Sequence, residues 1–203
     1  YSVIQNRKTS KQSTYCGFID LRKAFDSVNR ECLWYKLCKS GISGKMYHSI
    51  KSLYEDVQCA VKVNGYMTPT FSIMKGVKQG CTLSPTLFSI FINDLAEDIN
   101  ALKCGVPMDS ECLSVLLFAD DIVLMAPSEE SLQKMFDVVY KWCYKWQLQL
   151  NADKSKVIHF RNNSVTKSSF NFSCGVEPIE VVSKYRYLGM WFEEHLDRSE
   201  ERR

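Results

Sequence analysis

Two adjacent acids, Asp120 and Asp121, stand between the apolar runs Leu116-Leu117-Phe118 and Ile122-Val123-Leu124-Met125. Runs of that kind belong in a core, where a carboxylate is costly unless it is paired or binds a cation. Two arrangements satisfy the pattern. One is an exposed hairpin turn, where Asp is welcome; the other is a cation site. A third acid, Asp20, closes the strand-like run Tyr15-Cys16-Gly17-Phe18-Ile19. If the first strand lies beside the hairpin, its end and the hairpin tip can meet, bringing the three carboxylates together. Like charges that close need a counter-ion. Oxygen-only donors suit Mg²⁺ or Mn²⁺, and two ions bridged by carboxylates form a site for in-line phosphoryl transfer. Taken together, the three acids point to metal-dependent phosphoryl transfer rather than turn decoration.

The remaining patterns predict how such a sheet is built. Asn29 is an N-cap for a helix that stops at Gly41, and a second helix covers about 45–54. Asn64-Gly65 sits between strand-like runs at 57–63 and 66–73, the signature of a type I′ hairpin. Gly76 to Gly80 reads as a loop, a weak phosphate cradle without the Gly-Lys-Ser/Thr of a P-loop. Ser84-Pro85 opens a helix with Phe88, Phe91, Ile92, Leu95 and Ile99 on one stripe. Residues 112–119 and 122–126 are predicted strands. A helix from Ser128 follows, then strands near 156–161, 179–182 and 186–192, with 162–175 as loop. Without 45–80, the order is strand, helix, strand–turn–strand, helix, strand. That is the α+β split βαβ pattern of a ferredoxin-like sheet covered by two helices.

Composition narrows the class further. The 203 residues are 45% apolar and 12% aromatic, too much to bury for a disordered chain. The longest apolar runs are too short for a membrane helix, and the polar, basic start has no signal-peptide core. Arg7, Lys8 and Lys11 supply the whole net charge of +3, so residues 1–14 read as a basic linker able to touch phosphate. Nine cysteines are scattered without zinc spacing. They read as reduced thiols of an intracellular protein, in nucleus or cytoplasm. His48, His159 and His195 are scattered and read as structural or solvated.

FIDLRKAFDSV, GVKQGCTLSPTLFSIFINDL, FADDIVLMA, WQLQLNADKSKVIHF and KYRYLGMWF, in that order, resemble five palm motifs of a reverse transcriptase. FADD, with KAFDSVNR and LSPTLFSIFINDL, is similar to the non-LTR (LINE-like) retrotransposon branch, group II intron enzymes being the nearest relatives. The resemblance implies an RNA-directed DNA polymerase that uses two Mg²⁺ (or Mn²⁺) ions, an RNA template, a DNA primer and dNTPs, with no membrane partner. It implies a polymerase palm (15–27 and 84–192), an inserted fingers segment (28–83) and a charged, fraying tail (193–203). The N-terminal fingers and the thumb are expected in the remainder of a parent polyprotein.

By the same resemblance Asp20, Asp120 and Asp121 are metal ligands and catalytic, Asp121 in support. Leu21, Arg22, Phe25, Gln79, Gly80, Lys154 and Lys156 bind the nucleotide, Phe25 by facing the sugar at C2′. Either Lys154 or Lys156 protonates pyrophosphate. Tyr187, Leu188 and Gly189 form the primer grip. Two other readings remain open at this point. One is a truncated, inactive retroelement domain that only binds nucleic acid. The other is an RNA-templated RNA polymerase or two-metal nuclease, which Phe25 disfavours.

Overall fold

Every residue of the strand Thr14–Ile19 is buried, because this strand lies inside a sheet covered on both faces. The computed structural model describes residues 1–108 and 111–196. They divide into two compact units. The first comprises Tyr1–Arg22, Asp94–Lys145 and the chain from Gln149 onward; the second comprises Lys23–Asn93 and Trp146–Leu148.

The first unit holds a six-stranded sheet in the order Phe172–Cys174, Glu177–Val182, Lys156–Phe160, Thr14–Ile19, Asp121–Ala126, Val115–Phe118. Its last four strands, numbered along the chain, stand in the order 4-1-3-2 and are mutually antiparallel. This is the split βαβ order expected from the sequence. The helices Ser84–Ala101 and Glu129–Trp146 supply the two crossovers. Gly17 is required by packing: a Cβ there would meet Phe136 at 2.9 Å and Leu132 at 3.3 Å. The odd-numbered residues Tyr15, Gly17 and Ile19 therefore face the helix Glu129–Trp146. The even-numbered Cys16 and Phe18 face the other way, clustering with Ile4, Val123, Met125, Ile158 and Phe160.

Several elements depart from expectation. Residues 1–14 are not a linker throughout, since Ser2–Thr9 is a helix that buries Ile4. One buried residue leaves no apolar stripe for the eye to find. Arg7 bonds Thr14 Oγ1 at 2.9 Å and the Ser13 carbonyl at 2.7 Å, so it serves the chain itself. The expected strand 112–119 breaks at buried Ser114 into Glu111–Leu113 and Val115–Phe118. The expected loop 162–175 contains the strand Phe172–Cys174, too short for alternation to reveal. The expected strand 186–192 is a hairpin, Lys184–Tyr187 with Met190–Glu193. Its turn places Leu188 at φ +47° and Gly189 at +82°, and a leucine in that region is rare enough to hide the signal. Of the charged tail, Glu193 pairs with Lys184 at 2.8 Å and Glu194 with Arg161 at 2.7 Å; residues from 197 on lie outside the described residues.

His159 sits in the sheet, buried and stacked on Tyr15 with centroids 4.2 Å apart. Its Nδ1 accepts the Ser168 amide at 3.1 Å, which fixes the neutral tautomer with the proton on Nε2. Desolvation, with the Arg161 charge behind it, pushes its pKa down to about 4. The unfolded chain takes up the proton near pH 6.5 and the folded one resists it. Stability is therefore full above pH 6.5 and falls as pH drops toward 4, by on the order of 3 kcal/mol. Urea unfolding at pH 7 and pH 4.5 measures this, and His159→Gln is expected to flatten the difference.

In the second unit Asn29 caps the helix Arg30–Lys39, its side chain accepting from Glu31 and Cys32 amides. Gly41, at φ +86°, ends it. A second helix spans Gly44–Ser52. Asn64 and Gly65 both have positive φ, as a type I′ turn demands. The paired strands are much shorter than expected, Lys62–Val63 with Tyr66–Met67 and Gln58–Cys59 with Phe71–Ser72. Pro69, without an amide proton, stands between them. Arg30 ties this region together by donating to the carbonyls of Tyr54, Ile73 and Gly76.

Candidate active site

The register places Ile19 opposite Ile122 and Phe118 opposite Asp121. One step further along the same ladder, Asp20 comes opposite Asp121. Alternation puts Asp20 on the face of Phe18 and Asp121 on the face of Val123, the same face of the sheet. Asp120 occupies the two-residue turn between the hairpin strands, beside Ala119 at φ +54°. A non-glycine residue in that region is strained, a feature that gathers at functional sites.

The electrostatics reflect this proximity. The Asp121 carboxyl is raised above its ordinary range, first by burial, then by the charges of Asp120 and Asp20. Two tyrosines of the hairpin register the same field. Burial raises the Tyr185 phenol, and Asp20 and Asp121 add to the effect; burial and Asp121 raise Tyr187. Both rings pack on Phe18, with centroids 4.8 and 5.5 Å away. The expected grip residues thus belong to a hairpin lying over the acids, with Leu188 exposed at its tip.

The donor set fits a hard divalent cation: half-buried carboxylate oxygens whose charges bear on Asp121. Among the described residues no three Asp, Glu, His or Cys side chains gather tightly enough to ligate one ion. Mg²⁺ does not need such a cage, since one or two carboxylates suffice, with waters or substrate phosphates completing its shell.

Leu21 is buried and forms a bridge with Leu150, and the Arg22 amide donates to the Gln149 carbonyl at 2.8 Å. That amide is engaged within the protein, so of the backbone after Asp20 it is not open to a phosphate. Lys156 pairs with Glu180 at 3.0 Å. Lys154 is exposed, on a turn whose carbonyl accepts the Tyr185 hydroxyl at 3.0 Å. Phe25, Gln79 and Gly80 belong to the second unit. There Phe25 stacks on Phe88 at 4.7 Å, and the Gln79 amide donates to Asp26 at 2.7 Å. The loop and the Phe25 segment are sewn together by Gly76 N to Val28 O at 2.8 Å and Val77 N to Phe25 O at 2.9 Å.

Asn151 and Ser155 escaped the sequence reading. Both bond Asp20. The available signal was an Asn four residues before a buried Ser at the mouth of a strand, a turn pattern with no chemistry of its own.

A split βαβ sheet with acids at the end of its first strand and on the adjoining hairpin is the frame of a polymerase palm. The chain belongs to the reverse transcriptase (RNA-dependent DNA polymerase) family, which it matches over residues 2–192. Its curated relatives include RNA-directed DNA polymerases and Pol polyproteins of mobile and retrotransposable elements. It is 29% identical over 193 residues to the RNA-directed DNA polymerase from mobile element jockey of Drosophila melanogaster, covering 92% of this chain and 20% of that protein. The jockey polymerase of Drosophila funebris is 32% identical, with 93% of this chain and 20% of that protein covered. A Pol polyprotein of the R2 element of Popillia japonica is 29% identical, over 86% of this chain and 30% of its own length. The chain thus spans about a fifth to a third of these relatives. The fold is similar to apo telomerase from Candida tropicalis, truncated from its C-terminal domain: TM-score 0.66 at 17% identity, covering 95% of this chain and 36% of that one.

Proposed function

We propose that this chain is the palm, with an inserted fingers segment, of an RNA-directed DNA polymerase serving retrotransposition. It would add dNTPs to a DNA primer on an RNA template. The observation that carries the reading is the approach of Asp20 and Asp121 on one face of the sheet, with Asp120 in the adjoining turn, so that the charges of Asp20 and Asp120 both bear on Asp121. Asp20 and Asp120 would hold two Mg²⁺ or Mn²⁺ ions, with Asp121 in support. Such ions would supply Lewis-acid activation of a primer 3′-hydroxyl and charge neutralisation for a triphosphate.

The chain's own residues do the remaining work. Tyr187, Leu188 and Gly189 steer the primer end. Gln79, Gly80 and Arg22 contact the nucleotide, with the backbone at Leu21 along its phosphates. Lys154 is better suited than Lys156 to protonate pyrophosphate, because Lys156 is paired with Glu180. Phe25, held flat against Phe88, presses on C2′ of the sugar and rejects a 2′-hydroxyl. Phe25→Val is expected to raise ribonucleotide incorporation at least about tenfold relative to deoxynucleotides, the discrimination a steric clash of this size supplies. A competition between rUTP and dTTP measures it.

Primer extension on poly(rA)/oligo(dT) with Mg²⁺, by the chain joined to the rest of its parent protein, tests the reading. Synthesis that depends on Asp20 and Asp120 supports it. Salt-sensitive RNA binding without synthesis, unchanged in Asp120→Asn, supports the binding-only alternative instead. The setting within a cell is proposed to be reducing, in keeping with nine unpaired cysteines; no described helix is long and apolar enough to cross a membrane.

A further inference from the structure

Asp20 lies just past the end of its strand, where the sheet ladder no longer holds it. A turn from a distant part of the chain takes over. The Asn151 amide donates to the Asp20 carbonyl at 2.9 Å, and the Asp20 amide donates to Ser155 Oγ at 3.1 Å. Ser155, fully buried, closes the turn by donating through its hydroxyl and its amide to the Asn151 carbonyl, each at 2.9 Å. Tyr185 pins the turn from the hairpin side through the Lys154 carbonyl. Asn151 also reaches the carboxylate itself: its Nδ2 donates to Asp20 Oδ2 at 2.9 Å.

We propose that Asn151 is a positioning residue that fixes the Asp20 carboxylate for cation binding. The inference rests on the reading of Asp20 as a metal ligand. A carboxylate at a strand end has free rotation about two bonds, and holding one oxygen removes most of it. The amide occupies Oδ2 and leaves Oδ1 to the cation. A neutral donor suits this better than lysine or arginine. It supports the ionised carboxylate without cancelling the negative charge that draws a divalent ion. Partners behind a metal ligand typically affect affinity about 10–100-fold.

The backbone bonds of the turn survive Asn151→Ala, so the substitution removes little beyond the donor to Oδ2. Mn²⁺ titration of the 203-residue chain, read by electron paramagnetic resonance of the free ion, needs no substrate. Asn151→Ala is expected to weaken Mn²⁺ binding about tenfold with an unchanged melting temperature. In the polymerase assay it is expected to raise the Mg²⁺ concentration for half-maximal rate, with the rate largely restored at saturating Mg²⁺. Should the Ala variant unfold, Asn151→Ser, too short to reach Oδ2, carries the same expectation. Asp20→Asn separates the two claims. If it abolishes Mn²⁺ binding while a folded Asn151 variant stays within twofold of wild type, the positioning role is overturned and the Asp20 reading stands. If Asp20→Asn binds like wild type, or wild type binds no Mn²⁺, both are overturned.

Discussion

Asp120→Asn is expected to cut templated synthesis by about a thousandfold or more, and Asp20→Asn by a similar factor. Each removes a full charge from the place where a cation must balance the triphosphate. Charge stabilisation of that kind is worth several kcal/mol, about tenfold in rate for each 1.4 kcal/mol. Asp121→Asn is expected to cost less, roughly ten- to a hundredfold, because its role is supporting. Its carboxyl is held above the usual range by burial and by its two acidic neighbours. Neutralising it relieves that repulsion, so its melting temperature is expected to rise while activity falls. Single-nucleotide extension rates beside thermal melts of the three variants give both quantities. A fall in activity that tracks a fall in melting temperature would mean the acids are structural.

Gly76→Ala is expected to be the most damaging conservative change in the second unit. Gly76 has φ +82°, and a Cβ there would lie 2.7 Å from the Asp26 carbonyl oxygen and 2.8 Å from its Cα. The neighbours are backbone, so nothing flexible can yield. The left-handed conformation alone costs roughly 1–2 kcal/mol for an L-residue, and the clash about 1–3 kcal/mol more. Gly76 also bonds the Val28 carbonyl, next to the Phe25 segment. Displacing it moves Phe25 and Asp26, the latter holding Gln79. A loss of about 3 kcal/mol in urea unfolding is expected, together with poorer dNTP affinity. Gly80→Ala provides the contrast: its φ is +79°, but a Cβ there would meet nothing within 4 Å. Its loss should be confined to the backbone cost. Equal losses at the two positions would show that the packing against Asp26 is unimportant.

The sheet was legible because its central strands Thr14–Ile19 and Asp121–Ala126 are buried on both faces and its acids stand where apolar runs stop. Asp20 and Asp120-Asp121 therefore marked the topology and the candidate site. What stayed hidden depends on contacts distant in sequence. Asn151 looks like any turn residue until Asp20, 131 positions away, comes beside it. Arg30 reads as an ordinary helix-start residue, yet three carbonyls from two loops, Tyr54 in one and Ile73 and Gly76 in the other, converge on it. The helix Ser2–Thr9 buries one side chain, too little for a periodic pattern. The Leu188–Gly189 turn adopts a conformation that leucine seldom shows. Lys154 and Lys156 could be told apart only once Glu180 appeared on the neighbouring parallel strand.

Anomalous diffraction from crystals soaked in Mn²⁺ and an incoming dNTP locates divalent ions directly. Two peaks are expected within coordinating distance of Asp20, Asp120 and Asp121, with the triphosphate completing their shells. Peaks elsewhere, with these three side chains left uncoordinated, would contradict it.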